Sequence, residues 1–202
     1  MRENILNIAG IVLAGGLSSR MGKDKAHLIL ENKTLLEHNI ALLGSLPLSD
    51  VFVSGHYPEA NAISDLIEKG GPIAGVHACV DKLFEQFDAL FILPVDMPLL
   101  SQEECLHLLY KFTQYPQGVF YKDAMFPMIL PLTQPVKTSL NIIAMAADKK
   151  QRSLYRLIKT IQLQPVDYQI ENRFRFYNSN TPEQWEHCLK KYHALKLNKE
   201  SS

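Results

Sequence analysis

The sequence predicts an α/β fold in which a mostly parallel central sheet lies between two layers of helices. The first observation is a set of short apolar runs that end in glycine or aspartate, as strands buried on both faces do. The second is the alternation of these runs with stretches of helical spacing, which is typical of parallel β–α–β units. We therefore expect ligands to bind at the carboxyl ends of the strands.

The first half of the chain carries this alternation most regularly. The predicted strands are "NIAGIVLAGG" (7–16), "DVFVSG" (50–55) and "ALFILPVD" (89–96). Helices are predicted over 34–46, with Thr34 and Glu37 as a capping box, over 72–84, opened by proline, and after a cap at Ser101. This half alone predicts three parallel strands joined by helices.

The second half is less regular. Its predicted strands are "QGVFYK", "MFPMILPL", "IQLQPVDY" and "RFRFYN", and its predicted helices are "LNIIAMAADKKQ", "RSLYRLIKTI" and "TPEQWEHCLKKYHALK". The chain shows no internal repeat, linker or low-complexity segment, so we expect one domain over 1–195 and a disordered tail over 196–202.

Composition excludes several classes of partner. Lys plus Arg equals Asp plus Glu at 21 each, so no bulk positive field favours nucleic acid or acidic membranes. No apolar run approaches the roughly 18 residues of a membrane span. A secretory signal is the alternative at the N-terminus, but Glu3 offsets Arg2 and Asn7 interrupts the apolar stretch. Three cysteines without metal-ligand spacing predict reduced thiols in a cytoplasmic protein.

A glycine-rich segment follows the first strand. It fits neither the Walker A loop, because five residues separate Gly16 from Gly22, nor the GxGxxG fingerprint. Its small residues would still let backbone N–H groups approach phosphate oxygens, and Arg20 and Lys25 supply charge to neutralise a triphosphate. The alternative is a plain glycine turn followed by a solvated basic patch. Spacing alone leaves both interpretations open.

Four segments together resemble the molybdenum cofactor guanylyltransferases, the MobA-like nucleotidyltransferases. "LAGGLSSRMGKDK" (13–25) is similar to their LAGGxSxRMGxDK signature, and "GPIAG" (71–75) to their GPLAG. "LPVDMP" (93–98) resembles their strand-end aspartate motif, and "RFYNSNTPEQW" (175–185) their FxNxNTPE segment. The match spans roughly residues 8 to 190. It implies a Rossmann-like three-layer sandwich of the nucleotide-diphospho-sugar transferase type.

The resemblance also implies a reaction. GMP would pass from GTP to the terminal phosphate of the molybdopterin cofactor, and diphosphate would leave. Such a transfer depends on positioning and on charge neutralisation, with Mg²⁺ bridging phosphate oxygens. Molybdoenzyme apo-proteins or chaperones are the protein partners that the resemblance implies.

Site residues follow from the same motifs. Asp96 closes an apolar strand, where a buried charge needs a partner, and the resemblance makes it the Mg²⁺ ligand. The expected catalytic residues are Arg20, Lys25 and Asp96. The expected nucleotide-binding residues are Leu13, Ala14, Gly15, Gly16, Lys25, Ser54, Asp65 and Asp96. The expected acceptor-binding residues are Arg152, Asn178 and Asn180.

Each of these residues has a simpler alternative. Asp96 fits a turn or helix cap, and Asp65 fits an exposed position on a short helix. Asn178 and Asn180 fit an Asx turn before the last helix. Arg152 fits a solvated basic face.

Two departures from the family pattern leave base selectivity open. Ser54 and His56 stand where the family usually carries asparagines. A cytidylyl- or sugar-phosphate nucleotidyltransferase is therefore the alternative enzyme. The alternative without catalysis is a nucleotide-binding protein that delivers cofactor.

Overall fold

The computed structural model describes residues 6–15, 24–58, 60–65, 67 and 70–200. Nine strands lie within these residues: β1 (Ile8–Leu13), β2 (Ile29–Leu30), β3 (Lys33–Thr34), β4 (Asp50–Ser54), β5 (Ala62–Ile63), β6 (Ala89–Pro94), β7 (Val119–Tyr121), β8 (Met128–Pro131) and β9 (Gln164–Val166). The helices there are α1 (Leu35–Gly44), α2 (Pro72–Leu83), α3 (Gln102–Gln114), α4 (Gln134–Ala144), α5 (Leu154–Ile161) and α6 (Pro182–Glu200).

Seven of these strands form one sheet in the order β5-β4-β1-β6-β8-β7-β9, and β2 and β3 form a separate antiparallel pair. β1 pairs in parallel with β4 on one side and with β6 on the other. β8 is antiparallel to both of its neighbours, β6 and β7. The central strands β1 and β6 are almost wholly buried, which explains why their sequences are continuous apolar runs.

The chain reverses its direction of travel across the sheet at β1. It moves from β1 to β4 through α1, and then returns past β1 to β6 through α2. Since parallel crossovers are right-handed as a rule, two crossovers that run in opposite directions place α1 and α2 on opposite faces of the sheet. The result is a three-layer, Rossmann-like sandwich, which confirms the predicted fold class. Such a reversal opens a crevice at the carboxyl ends of the strands.

Local signals at the helix starts are mostly confirmed. Thr34 and Glu37 form the predicted capping box on α1, and Pro72 opens α2. Ser101 precedes α3, but its hydroxyl donates to the Glu104 carboxylate instead of accepting a backbone N–H. Among the described helices, none combines the length and the apolar character that a membrane span requires.

Two predictions in the second half are wrong in detail. The predicted helix over 140–151 begins earlier, at Gln134, where a proline follows in its first turn, and it ends at Ala144. The segment "RFRFYN" is not a strand, because Ile170–Phe176 forms a 3₁₀ helix. Its alternating pattern has another cause: the Phe176 ring packs 4.6 Å from the ring centroids of Tyr121 and Tyr168.

The last helix is longer than the sequence predicts. α6 continues to Glu200, five residues beyond the expected end of the domain at 195. Most of the segment predicted to be a disordered tail is therefore helical. The prediction already used the late lysines as helix-favouring residues, and the helix continues past them.

Candidate active site

Three parallel strands end together at the reversal point of the sheet. In the register of the sheet, Leu13 at the end of β1 lies beside Ser54 of β4 and beside Pro94 of β6. The residues that follow these strands therefore share one edge of the sheet. This edge collects the glycine-rich turn after β1 and Asp96 after β6.

The turn after β1 is fixed by the end of β4. The N–H groups of Ala14 and Gly15 both donate to the Ser54 carbonyl oxygen, at 3.0 and 2.8 Å. These two amides were expected to face phosphate, but here they hold the turn against the neighbouring strand. Gly16 and Arg20, also predicted as site residues, lie outside the described residues.

Lys25 meets two of the other predicted residues at this edge. Its Nζ atom lies 2.9 Å from Asp96 Oδ2, and it also donates a short hydrogen bond to Asn180 Oδ1. The side chains of Lys25 and Asp96 are only 15% and 18% exposed. Residues from three distant parts of the sequence thus form one partly buried polar cluster. A cation and an acid there can both interact with a phosphate-bound metal complex.

Backbone contacts fix the position of Asp96. The N–H of Ser179 donates to the Asp96 carbonyl oxygen at 2.9 Å, and Ser179 is fully buried. The preceding carbonyl, of Val95, accepts from Nδ2 of the buried Asn39 at 3.1 Å. Sequence reasoning missed both Ser179 and Asn39. Ser179 lies between the predicted residues Asn178 and Asn180. Nothing in the helical pattern of α1 indicated a role for Asn39.

A second polar group lies across the turn. The Ser54 hydroxyl donates to Asp65 Oδ1 at 3.2 Å, and a Cβ built on Gly15 would stand 3.1 Å from Asp65 Oδ2. Burial raises the pKa of Asp65, and the hydrogen bond from Ser54 opposes this in part. Asp65 is thus a carboxylate beside the backbone of the glycine-rich turn, and not a fully solvated surface residue.

The donor set at this edge suits a hard cation. Mg²⁺ is typically held by one or two carboxylates, with water and substrate phosphates as the other ligands. Asp96 supplies one carboxylate, and Asn180 supplies an amide oxygen nearby, since both contact Lys25 Nζ. Within the described ranges, no group of three or more His, Cys, Asp or Glu side chains could hold a metal ion.

A pocket lies beside the two predicted asparagines. It has a volume of about 520 Å³ and lies between the segment 176–180 and the first turns of α6. Phe176, Tyr177, Asn178, Asn180 and His187 are among its lining residues. Small-molecule sites usually measure about 300–1,000 Å³, so this pocket has room for a small ligand. Asn180 belongs both to this pocket and to the cluster around Lys25.

The remaining acceptor-side prediction is Arg152. The Arg152 Nε–H donates to the Ala146 carbonyl oxygen at 2.8 Å, in the connection between α4 and α5. No contact recorded for the described residues joins Arg152 to Asp96 or Asn180. His56 is exposed, as expected for a loop histidine.

The chain is similar to known proteins over most of its length. Residues 10–166 match the family model of the MobA-like NTP transferase domain. The molybdenum cofactor guanylyltransferase of Xanthomonas euvesicatoria is 39% identical over 182 residues, which are 89% of this chain and 93% of the relative. A probable molybdenum cofactor guanylyltransferase of Bacillus cereus is 30% identical over 197 residues, covering 88% and 93% of the two chains.

Solved structures share the fold. Molybdopterin-guanine dinucleotide biosynthesis protein A from Archaeoglobus fulgidus superposes with a TM-score of 0.68 over 92% of this chain and 99% of its own, at 24% identity. A nucleotidyl transferase from Methanothermobacter gives a TM-score of 0.71 over 94% and 99% of the two chains, at 14% identity. The family match covers most of the sheet and its reversal point. The chain belongs to the MobA-like NTP transferase family.

Proposed function

We propose that this protein transfers GMP from GTP to the terminal phosphate of the molybdopterin cofactor, giving the guanine dinucleotide form and diphosphate. The observation that carries the proposal is the convergence of Lys25, Asp96 and Asn180 at the carboxyl edge of β1 and β6. The guanylyltransferase from Xanthomonas supports the choice of substrates, because it is 39% identical over most of both chains.

The residues of the chain supply positioning and charge. A phosphate nucleophile is already ionised at neutral pH, so attack on the α-phosphorus needs no general base. Lys25 stabilises the negative charge that accumulates on the transferred and leaving phosphates, and Arg20 adds a second cation. The phosphates would lie against the backbone at Leu13, Ala14, Gly15 and Gly16.

We assign Mg²⁺ as the metal. Asp96 would hold it, with the amide oxygen of Asn180 close by. When bound, the ion neutralises phosphate oxygens and orients the leaving diphosphate. Lys25, whose Nζ lies 2.9 Å from Asp96 Oδ2, would contact the phosphates once Asp96 holds the ion.

Asp65 supports guanine as the preferred base. A carboxylate only accepts hydrogen bonds, and guanine presents two adjacent donors on its Watson–Crick edge. Cytosine presents one donor and two acceptors there, so a carboxylate would repel part of that edge. Ser54 orients Asp65 through its hydroxyl, which lies 3.2 Å from Oδ1. In this way Ser54 and Asp65 would take over the role of the asparagines that the family usually carries at the positions of Ser54 and His56.

The acceptor is assigned to the pocket beside Asn178 and Asn180. Its volume of about 520 Å³ and its amide groups suit a pterin, which has several donors and acceptors. Arg152 is a candidate for the acceptor phosphate. The three free, buried cysteines support a cytoplasmic site for the reaction. Molybdoenzyme apo-proteins or their chaperones would receive the product.

A nucleotide panel tests the proposal. Purified protein is supplied with Mg²⁺, molybdopterin cofactor and one of GTP, CTP, UTP or ATP, and diphosphate release is measured. We expect release with GTP to exceed release with any other nucleotide by at least tenfold, and to require both metal and acceptor. Turnover of CTP alone would assign a cytidylyltransferase instead. Nucleotide binding without diphosphate release in any reaction would favour a cofactor-delivery protein.

A further inference from the structure

Tyr57 contacts both ends of the glycine-rich motif. It follows β4 and is buried, at 7% exposure. Its hydroxyl lies 3.1 Å from the Ala14 carbonyl oxygen, at the start of the motif, and 2.9 Å from Asp24 Oδ2, at its end. Ala14 and Asp24 are 43 and 33 positions away from Tyr57 in the sequence. One side chain therefore lies within hydrogen-bond distance of both Ala14 and Asp24.

The backbone after β4 is shaped to admit this tyrosine ring. Gly55 has a φ of +136°, in a region that favours glycine. A Cβ on Gly55 would lie 2.7 Å from Tyr57 Cε2 and 3.1 Å from the Gly15 nitrogen. The ring and the glycine-rich turn thus both pack against the same glycine. Since Ser54 also receives the Gly15 N–H, the end of β4 positions the turn and the tyrosine together.

Asp24 links the tyrosine to Lys25. Its Oδ1 accepts the N–H of Ala26 at 3.0 Å and so caps the short 3₁₀ turn Lys25–His27. Its other oxygen faces the Tyr57 hydroxyl. The direction in which Lys25 leaves this turn determines whether its ammonium reaches Asp96. A hydrogen bond to Asp24 therefore affects the position of the Lys25 ammonium group.

We propose that Tyr57 is a positioning residue for nucleotide binding. Its hydroxyl donates to Asp24 or to the Ala14 carbonyl oxygen, and through Asp24 it fixes the turn from which Lys25 reaches the phosphates of a nucleoside triphosphate. The single hydroxyl proton goes to one oxygen at a time, and the charged Asp24 is the stronger acceptor. The inference rests on the proposed nucleotide site, but it adds a residue that the family motifs do not include.

The test is Tyr57→Phe, which removes only the hydroxyl. We expect the KM for GTP to rise about tenfold, with kcat reduced less than threefold, because the loss affects the positioning of ground-state phosphates and leaves Asp96 in place. Calorimetric titration with Mg·GTP should show the same weakening of affinity.

Tyr121→Phe is the matched control. Tyr121 is also a buried tyrosine with two hydroxyl partners, since it donates to the Glu104 carbonyl oxygen at 2.8 Å and lies 2.9 Å from His107 Nδ1. It lies away from the glycine-rich motif. We expect its loss to lower the thermal midpoint while the KM for GTP stays within twofold of wild type. An equal rise in KM for both variants would reduce Tyr57 to a structural role and overturn the inference.

A double-mutant cycle separates action through Asp24 from other effects. In an Asp24→Ala background, Tyr57→Phe should raise the KM by a smaller factor than it does in the wild type, because one partner is already missing. If Tyr57→Phe raises the KM by the same factor in both backgrounds, Tyr57 does not act through Asp24 and the inference is wrong. If the wild type binds Mg·GTP and Tyr57→Phe binds it equally well, only this inference fails. If the wild type binds no nucleotide, the proposed function fails with it.

Discussion

Lys25 Nζ lies 2.9 Å from Asp96 Oδ2, and 71 positions of sequence separate the two residues. The pair connects the end of the glycine-rich motif to the end of β6. Each residue compensates the charge of the other at a place where both are mostly shielded from water. Asp96 therefore has a partner in the absence of metal, which explains how a carboxylate is tolerated after a fully apolar strand.

We expect Asp96→Asn to lower the rate of diphosphate release by roughly three orders of magnitude, about 4 kcal/mol of barrier. The asparagine keeps the shape and an oxygen that can accept from Lys25, but it removes the charge that holds Mg²⁺. The measurement is kcat/KM for GTP at saturating acceptor.

Asp81→Asn serves as the control for Asp96. Asp81 is an exposed carboxylate on α2 that lies 3.3 Å from Lys137, and a surface pair of this kind contributes little. Its variant should keep the wild-type rate. If Asp96→Asn also kept full activity at low magnesium concentration, Asp96 could not be the metal ligand.

The strand ends were predictable from the sequence, but the contacts between them were not. Apolar runs that end in glycine or aspartate indicated β1 and β6, and their parallel pairing brings Gly15 and Asp96 to one edge. The sequence did not predict roles for Tyr57 and Asn39, because tertiary packing determines their partners. A lone tyrosine after a strand and an asparagine inside a helix carry no periodic signal. The 3₁₀ helix over 170–176 was missed because an aromatic cluster outweighs the alternating pattern.

The two asparagines of the 178–180 segment should differ in function. Both asparagines line the neighbouring pocket, and Asn180 also contacts Lys25. We expect Asn178→Ala to raise the KM for the molybdopterin acceptor about tenfold and to leave the KM for GTP unchanged. Asn180→Ala should instead lower kcat, because Lys25 loses one of its acceptors. Steady-state kinetics with each substrate varied in turn distinguish these outcomes. Identical effects from the two variants would contradict the division.

Asp65→Asn should change both base preference and the pH dependence of stability. The kcat/KM for GTP should fall about tenfold or more, while the values for other nucleotides stay level, because an amide no longer matches two adjacent donors. Measuring all four nucleotides checks this. A uniform loss with every nucleotide would place Asp65 away from the base.

The stability effect of Asp65→Asn follows from the raised pKa of the carboxyl group. The folded wild type holds its proton to higher pH than the unfolded chain does, so its stability falls as pH rises from the ordinary value of 3.8 through the raised pKa. An asparagine side chain does not titrate in this pH range, so the variant does not lose stability in this way. We therefore expect the variant to be the more stable protein near neutral pH. The difference in stability should vanish below pH 3.8, the ordinary pKa of an aspartate. Urea unfolding across this pH range measures the difference.

Gly75 allows α2 to approach the Ser54–Asp65 pair, and substituting it should be costly. A Cβ on Gly75 would overlap Ser54 Oγ and would lie 3.3 Å from Leu13 Cδ2. We expect Gly75→Ala to lower the free energy of unfolding by about 1–3 kcal/mol, as overpacking does, despite the better helix propensity of alanine. Gly44→Ala in α1 is the control, because nothing lies within 4 Å of its Cβ position. That variant should be as stable as wild type or more so.

The double variant Gly75→Ala/Ser54→Ala shows whether Ser54 Oγ is the source of the strain. Removing that oxygen makes room for the new methyl group, so we expect the double variant to recover part of the stability that Gly75→Ala loses. Nucleotide affinity should not recover, because Asp65 has then lost the hydroxyl that orients it. Chemical unfolding and GTP titration on the same samples give both quantities. If the losses of stability from the two substitutions were additive, the new methyl group would clash with Leu13 and not with Ser54.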